Sequence, residues 1–262
     1  MTTIEERAVA LLRRGNNDSQ ATFRSGQLEA IVALVRDRPR VLVIQRPGWG
    51  KSSVYSIGAR LLRESGAGPT VIIGPLISLM RNQLQAAERM GIVAGTINST
   101  NASEHYAVIK AFTAGELDVL LVAPERLANE QFVNNVLMAS TRSIGMFVVD
   151  EAHCISDRGH DFRPDHRRIA ALLKHFPANL PVLATTATAN GRVVEDLQGQ
   201  LRIEGSSSAF TRSILPAIGA RSMLSNVYRN GSKGPFNLKY SSPVKRCFCP
   251  SRSTRRSSAL LA

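Results

Sequence analysis

The sequence predicts a doubly wound α/β fold on a parallel β-sheet, and three observations point to it. Five short runs rich in Val, Ile and Leu recur over the first 188 residues. Amphipathic stretches of helical length separate these runs, and alternation of strand and helix is typical of parallel sheets. The runs are also nearly continuous, as expected of strands that are buried on both faces.

The predicted elements follow one another in regular alternation. The strands are 41–45 (VLVIQ), 70–75 (TVIIGP), 119–124 (VLLVAP), 146–151 (MFVVDE) and 181–188 (PVLATTAT). The helices are 26–37, 51–64, 76–91, 103–114 and 165–176. Four strands end in polar or turn residues, at 48–52, 74–75, 123–125 and 150–151. Because ligands of open α/β sheets bind beyond the carboxyl ends of the strands, we expect a functional site there.

The distribution of charge separates the body of the chain from its C-terminal part. The 262 residues carry a net charge of +13. From Gly205 onward there are ten Lys and Arg and no acidic residue, whereas residues 1–204 hold 23 basic and 20 acidic residues. We expect a folded domain over 1–203 and a basic, Ser- and Arg-rich, irregular tail over 204–262. The tail is either a solvated segment or a nucleic-acid-binding arm.

The sequence indicates a cytoplasmic protein without a membrane partner. The N-terminal segment MTTIEERAVALLRRG has acidic residues and no apolar core of a signal peptide. No stretch reaches the roughly 18 apolar residues of a membrane span. The three cysteines, Cys154, Cys247 and Cys249, form no recognisable disulfide framework.

The segment QRPGWGKSS (45–53) has the features of a phosphate-binding loop. A buried strand leads into a Gly-rich turn, and a helix begins at Lys51 and Ser52, so that free backbone N–H groups can meet phosphates. Lys51 would neutralise the β- and γ-phosphates, and the Ser52 hydroxyl would bind Mg²⁺. The alternative is a turn that carries a surface lysine.

A second motif, FVVDEAH, ends the strand about a hundred residues later. Asp150 can hold Mg²⁺ through water, and Glu151 can orient or deprotonate the attacking water. The alternative is a pair of acids that caps a strand end. Both motifs on one sheet predict a nucleoside triphosphate site with Mg²⁺.

From about Phe23 to Leu201, the chain resembles the first RecA-like domain of RecQ-type DNA helicases, in the second helicase superfamily. Seven segments carry the resemblance: FRSGQLEAI (23–31), QRPGWGKSS (45–53), GPLISLMRNQL (74–84), INST (97–100), APERL (123–127), VVDEAHCISDRGHDFRPDHRRI (148–169) and LATTATA (183–189). The segment from Cys154 to Pro164 is diagnostic, because related RNA helicases lack it.

The resemblance implies a RecA-like P-loop NTPase fold that uses ATP and Mg²⁺. Gln27 and Arg24 would read the adenine edge. His153 would link the site to a motif that contains Thr186 and Thr188. The implied phosphate and metal ligands are Gly48, Gly50, Lys51, Ser52, Ser53 and Asp150, with Lys51, Asp150, Glu151 and His153 in catalysis.

The same resemblance implies binding of single-stranded or partly duplex DNA. The residues that would contact the DNA backbone are Pro75, Ser78, Arg81, Pro124 and Arg126. Phe162 and Arg163 lie in the loop that senses single-stranded DNA and couples it to hydrolysis; Phe162 is equally consistent with core packing.

Three positions depart from the family pattern. Gln45 replaces the small or methionine residue that opens the phosphate loop, and Trp49 replaces a small residue, where its indole would either cover the phosphates or crowd them. Arg158 stands where the DNA-sensing loop normally has an aromatic residue.

We therefore expect an ATP-dependent 3′-to-5′ DNA helicase of RecQ type, of the class that acts in DNA repair and recombination. Nothing in the tail resembles the second helicase domain with its arginine finger, which suggests a truncated or frame-shifted product. The main alternative is an ATP- and DNA-binding module without unwinding activity. An RNA helicase fits less well because of His153 and the 154–164 loop, and a P-loop kinase or transporter ATPase leaves FRSGQ and APERL without a role.

Overall fold

The computed structural model describes residues 2–37, 40–74, 84–156, 164–188 and 190–201. Six parallel strands form one sheet: β1 (Arg40–Ile44), β2 (Thr70–Ile73), β3 (Ala94–Ile97), β4 (Val119–Val122), β5 (Met146–Val149) and β6 (Val182–Thr186). Their spatial order is β1-β6-β5-β2-β4-β3. The predicted doubly wound parallel sheet is confirmed.

Helices connect the strands. They are α1 (Ile4–Asn16), α2 (Gln27–Arg36), α3 (Lys51–Glu64), α4 (84–89), α5 (His105–Thr113), α6 (Glu130–Phe132), α7 (Pro164–Leu173) and α8 (Gly191–Gln200). Short 3-10 turns cover Ala102–Glu104, Pro124–Ala128 and Ala152–Ile155, and a π-helical segment (Val133–Met138) follows α6.

The sheet separates two hydrophobic cores, which explains the continuous apolar runs of the sequence. Along β5, Phe147 and Val149 point into one core, while Met146 and Val148 point into the other. The first core is completed by residues of α5 to α8, and the second by residues of α1 to α4. Every β5 side chain is therefore removed from water, which favours apolar residues at successive positions.

The edge strand β3 was not predicted from the sequence. Its residues alternate between half-buried and buried, and Gly95 interrupts the apolar pattern. A Cβ atom at Gly95 would lie 2.8 Å from side-chain atoms of both Leu117 and Val108. Close packing of α5 therefore requires glycine in this strand. The glycine interrupts the run of apolar residues by which a strand is recognised in the sequence.

Three further helices, α1, the short α6 and α8, were also not predicted. A capping box links Thr3 and Glu6 at the start of α1, and the Asn190 side chain accepts a hydrogen bond from Val193 N–H at the start of α8. The five predicted strands end one or two residues later than the observed ones, so the polar residues that follow them lie in turns. Within the described part of the chain, no helix has the length and apolar character that a membrane crossing requires.

Candidate nucleotide-binding site

The phosphate loop lies between β1 and α3. Gly48 and Gly50 have φ angles of +77° and +94°, which residues with a Cβ rarely adopt. A Cβ atom at Gly50 would also lie 2.6 Å from Gln27 Nε2. Lys51, Ser52 and Ser53 form the first turn of α3, so their backbone N–H groups face the loop. This is the strand-loop-helix arrangement that binds phosphate groups.

Lys51 bridges the two ends of the loop. Its ammonium group donates a hydrogen bond to the Gln45 carbonyl at 3.0 Å, and the Gln45 N–H donates to the Thr186 carbonyl of β6 at 3.0 Å. Gln45 itself is buried. The lysine side chain is therefore folded back over the loop that would receive phosphates.

Gln27 and Arg24 contact the phosphate loop directly. The Gln27 Nε2 group donates to the Trp49 carbonyl at 2.7 Å, and its Oε1 atom accepts from Arg24 N–H at 2.7 Å. The Arg24 guanidinium donates to the Gly48 carbonyl. Gln27 is only 3% exposed. The residues predicted to read adenine are thus brought to the loop predicted to hold phosphate.

The side chain of Trp49 is buried beneath the sequence segment predicted to bind phosphate. Its indole is only 4% exposed and belongs to the second hydrophobic core, on the α1–α4 side of the sheet. The sequence left open whether this indole would cover the phosphates or crowd them; in the structure it packs inward and presents almost no surface.

Asp150 and Glu151 directly follow β5, which is separated from β1 only by β6. The Thr185 hydroxyl donates to Asp150 Oδ1, which also accepts the Glu151 N–H at 3.0 Å. Burial raises the pKa of Asp150, although the hydrogen bond from Thr185 opposes the shift. Thr185 was missed by sequence reasoning. Its position in LATTATA, beside the predicted Thr186, was the available signal.

Glu151 adopts φ +53° and ψ +46°, in the left-handed region. Such a conformation is uncommon for a residue with a Cβ and clusters at functional sites. Its Oε2 atom lies 3.2 Å from His153 Nδ1. The hydrogen bond from His153, together with the charge of Lys51, holds the pKa of Glu151 below its usual value.

His153 joins the carboxylates to the end of β6. Its Nδ1 atom lies 2.9 Å from the Thr186 hydroxyl, which donates its own proton to the Thr188 carbonyl at 3.0 Å. Thr186 must therefore accept from His153, so Nδ1 carries a proton. The side chains of Cys154 and Glu151 raise the pKa of His153 to about 10. Both neighbours therefore favour the imidazolium form of His153.

The predicted DNA contacts are only partly described. Pro124 is buried and Arg126 is half-buried, and both lie in the 3-10 turn that follows β4 at the same edge of the sheet. Pro75, Ser78, Arg81, Phe162 and Arg163, as well as Arg158, lie outside the described residues.

The sequence model of the DEAD/DEAH box helicases matches residues 24–197, which include every site residue described above. The chain belongs to the DEAD/DEAH box helicase family. The ATP-dependent DNA helicase RecQ of Bacillus subtilis is 37% identical over 190 residues, which cover 72% of this chain and 31% of that protein. The ATP-dependent helicase SGS1 of Saccharomyces cerevisiae is 34% identical over 185 residues, which cover 70% of this chain and 13% of that protein. The predicted resemblance to RecQ-type helicases is confirmed.

A solved structure agrees on the fold. The helicase domain of Hef from Pyrococcus furiosus superposes with a TM-score of 0.54 at 19% identity, over 74% of this chain and 39% of that one. Matched segments make up less than a third of the length of the RecQ-type relatives. The similarity therefore concerns one part of those proteins.

Proposed function

We propose that this chain is the ATP-binding motor domain of a RecQ-type 3′-to-5′ DNA helicase, which couples ATP hydrolysis to binding of single-stranded DNA. The observation that carries the proposal is the meeting of three strand ends. The phosphate loop follows β1, the carboxylates follow β5, and Thr186 ends the intervening β6. This brings a cation, two carboxylates and a polar relay to one edge of the sheet.

The phosphate loop is suited to a nucleoside triphosphate. Gly48 and Gly50 add no side chain to the turn, and the N-terminal turn of α3 offers the N–H groups of Lys51 and Ser52. Ser53 lies in the same turn, where its N–H donates to the Gly50 carbonyl at 3.1 Å. Lys51 would exchange its hydrogen bond with the Gln45 carbonyl for phosphate oxygens. Arg24 and Gln27, already in contact with the loop, would lie at the adenine end.

The pair Ser52 and Asp150 fits Mg²⁺, which prefers one or two carboxylates together with phosphate and water oxygens. Because burial raises the pKa of Asp150, a nearby divalent cation would stabilise its ionised form. When bound, the ion neutralises charge on the phosphates. Asp150 is held in place for this role by the Thr185 hydroxyl.

Glu151 is the base or water-orienting group of this scheme. Its low pKa keeps it ionised, and the bond to His153 fixes its position beside Lys51. His153, Thr186 and Thr188 would transmit the state of the site to DNA-binding segments. Those segments comprise the described Pro124 and Arg126 and, by resemblance, Pro75, Ser78, Arg81, Phe162 and Arg163.

A second candidate is an ATP- and DNA-binding module without unwinding activity of its own. The matched segments cover at most 31% of the RecQ-type relatives named above, so the groups that complete a motor would come from a longer product or act in trans. An arginine finger alone contributes about 10³–10⁵ in rate. The Ser- and Arg-rich segment over 204–262 would then serve as an appended tail.

An assay of DNA strand displacement distinguishes the helicase motor from the binding module. The test uses duplexes with a 3′ or a 5′ single-stranded tail, Mg²⁺ and ATP, with Glu151→Gln as matched control. The proposed helicase displaces the strand of the 3′-tailed duplex, and the control does not. Binding of both duplexes without displacement would favour the binding module. Equal displacement by the control would contradict the assigned site.

A further inference from the structure

Trp49 carries the only side chain in the loop segment 48–50, because glycines flank it on both sides. The two glycines have positive φ angles, and such residues lose the most conformational freedom when a chain becomes ordered. Ordering a loop of this composition therefore costs more conformational entropy than ordering most segments, and contacts from outside the loop offset that cost. The side chain of Trp49 is placed to make such contacts.

The indole is packed against the start of α2. It is 4% exposed and lies in the core formed with α1 and α3. A Cβ atom added at Gly26, the residue before α2, would lie 3.8 Å from Trp49 Cζ2. The bare backbone of Gly26, at φ +88°, therefore lies beside the indole.

The backbone of the same segment is held from the same side. Gln27 Nε2 donates to the Trp49 carbonyl at 2.7 Å and approaches the Gly50 carbonyl at 3.4 Å. Arg24 donates to the Gly48 carbonyl, and the Trp49 N–H donates to the Arg46 carbonyl at 3.2 Å. The indole and the carbonyl group of Trp49 thus attach the centre of the loop to residues 24–27.

We propose that Trp49 is a positioning residue of the phosphate loop, which anchors it to the segment 24–27 so that phosphates meet a loop already in binding shape. The inference rests on the proposed nucleotide binding. Because the indole is almost fully buried, it acts through the loop backbone and presents almost no surface to a ligand. In this chain it supplies an anchor that the small residue typical of the family at this position could not.

The first test replaces the indole. Trp49→Gly creates three successive glycines, whose ordering must then accompany ligand binding and costs conformational entropy. We expect Mg²⁺–ADP affinity, measured by calorimetry on the full chain, to fall about 10-fold. Affinity for adenosine, which has no phosphate, should not change. Trp49→Phe, which keeps an aromatic anchor, should stay within about threefold of wild type.

Controls separate positioning from a loss of stability. Leu62→Ala removes a buried side chain from the same core, away from the loop, and should lower the melting temperature without changing Mg²⁺–ADP affinity. Wild-type affinity in Trp49→Gly would overturn the proposal. An equal loss of affinity for adenosine and Mg²⁺–ADP would also overturn it, since the effect would then not act through the phosphate loop.

The indole provides an independent signal, because Trp49 is the only tryptophan in the sequence. Its fluorescence should be that of a buried indole without ligand and should remain so with saturating Mg²⁺–ADP. A shift to the emission of a solvent-exposed indole would show that the anchor is released, which contradicts the proposal. If wild type binds no Mg²⁺–ADP, or if Lys51→Ala binds it equally well, the proposed function fails, and the role of Trp49 fails with it.

Discussion

Asp150 and Glu151 are neighbours in sequence, but their surroundings shift their protonation in opposite directions. Burial raises the pKa of Asp150, whereas His153 and Lys51 lower that of Glu151. Glu151 has a left-handed backbone, and its carboxylate lies beside His153. Adjacent carboxyl groups can therefore take different roles, one toward a metal ion and one toward water.

Replacement of the second carboxylate tests this division of roles. Glu151→Gln keeps the shape of the side chain but removes the base, whose contribution is typically 10²–10⁴-fold. We expect ATP hydrolysis to fall by about that factor while Mg²⁺–ATP still binds. Measurement of phosphate release and of binding on the same preparation checks both parts. Unchanged turnover would remove Glu151 from its role.

The hydroxyl of Thr186 is the expected link between His153 and the end of β6. Thr186→Val keeps the shape but removes one of the two acceptors near His153 Nδ1–H, and Glu151 Oε2 at 3.2 Å remains as the other. We expect basal ATP hydrolysis to persist and its stimulation by single-stranded DNA to be lost. Titration of DNA into an ATPase assay measures both. Thr188→Val is the control, because Thr188 contributes only backbone atoms to the described hydrogen bonds.

At the level of elements, the phosphate loop requires glycine at position 50 for two reasons, a close contact and a positive φ angle. At Gly50 a Cβ atom would meet the Gln27 amide at 2.6 Å, in addition to the strain of a φ angle of +94°. Gly50→Ala should therefore weaken Mg²⁺–ATP binding, measured by calorimetry, through displacement of Gln27. Gly66→Ala is the matched control, because Gly66 has a φ angle of +86° and an added Cβ atom would have no neighbour within 4 Å. It should lower the free energy of unfolding by about 1–3 kcal/mol and leave Mg²⁺–ATP binding unchanged. Equal binding by both variants would contradict the account.

At the opposite end of the sheet, Asp118 ties three elements together. The residue is 8% exposed, and its carboxylate accepts hydrogen bonds from Arg63 Nε at 2.8 Å and from Val93 N–H at 3.0 Å. Arg63 further donates to the carbonyls of Ala67 and Gly115. This network fixes α3 against the strands and lies away from the nucleotide site.

Loss of that carboxylate leaves the half-buried Arg63 guanidinium with only its two carbonyl acceptors and the Val93 N–H group without this acceptor. We expect Asp118→Ala to lower the free energy of unfolding by about 1–3 kcal/mol, measured by urea denaturation. Arg36→Ala removes the exposed ion pair with Glu5 and should cost less than about 1 kcal/mol. Similar values for both variants would show that burial does not determine the strength of this network.

The predictions from sequence agree best with the structure where a functional motif directly follows a continuous apolar run. The central strands and the phosphate loop could be predicted, because burial on both faces leaves continuous apolar runs. The strand β3 could not, since Gly95 and partial exposure erase the pattern at the edge. The contact between Gln27 and Trp49 and the inward turn of the indole were equally hidden, because both depend on how α2 packs against the loop.

At the scale of the whole molecule, strand order creates the site. The sequence separates the phosphate loop from the carboxylates by about a hundred residues, yet β1 and β5 both pair with β6. The two cores on either face keep these three strands in register. The position of Thr185 and Thr186 between the two motifs follows from this order, which no local pattern in the sequence reveals.

The edge formed by β1, β6 and β5 is the proposed ATP site of a DNA-dependent motor domain. The first measurement to make is ATP hydrolysis by the chain, with and without single-stranded DNA and beside Lys51→Ala. We expect Mg²⁺-dependent hydrolysis that DNA stimulates and that Lys51→Ala abolishes. Hydrolysis that is unchanged in Lys51→Ala, or the absence of any Lys51-dependent binding of ATP, would show that this edge is not the ATP site.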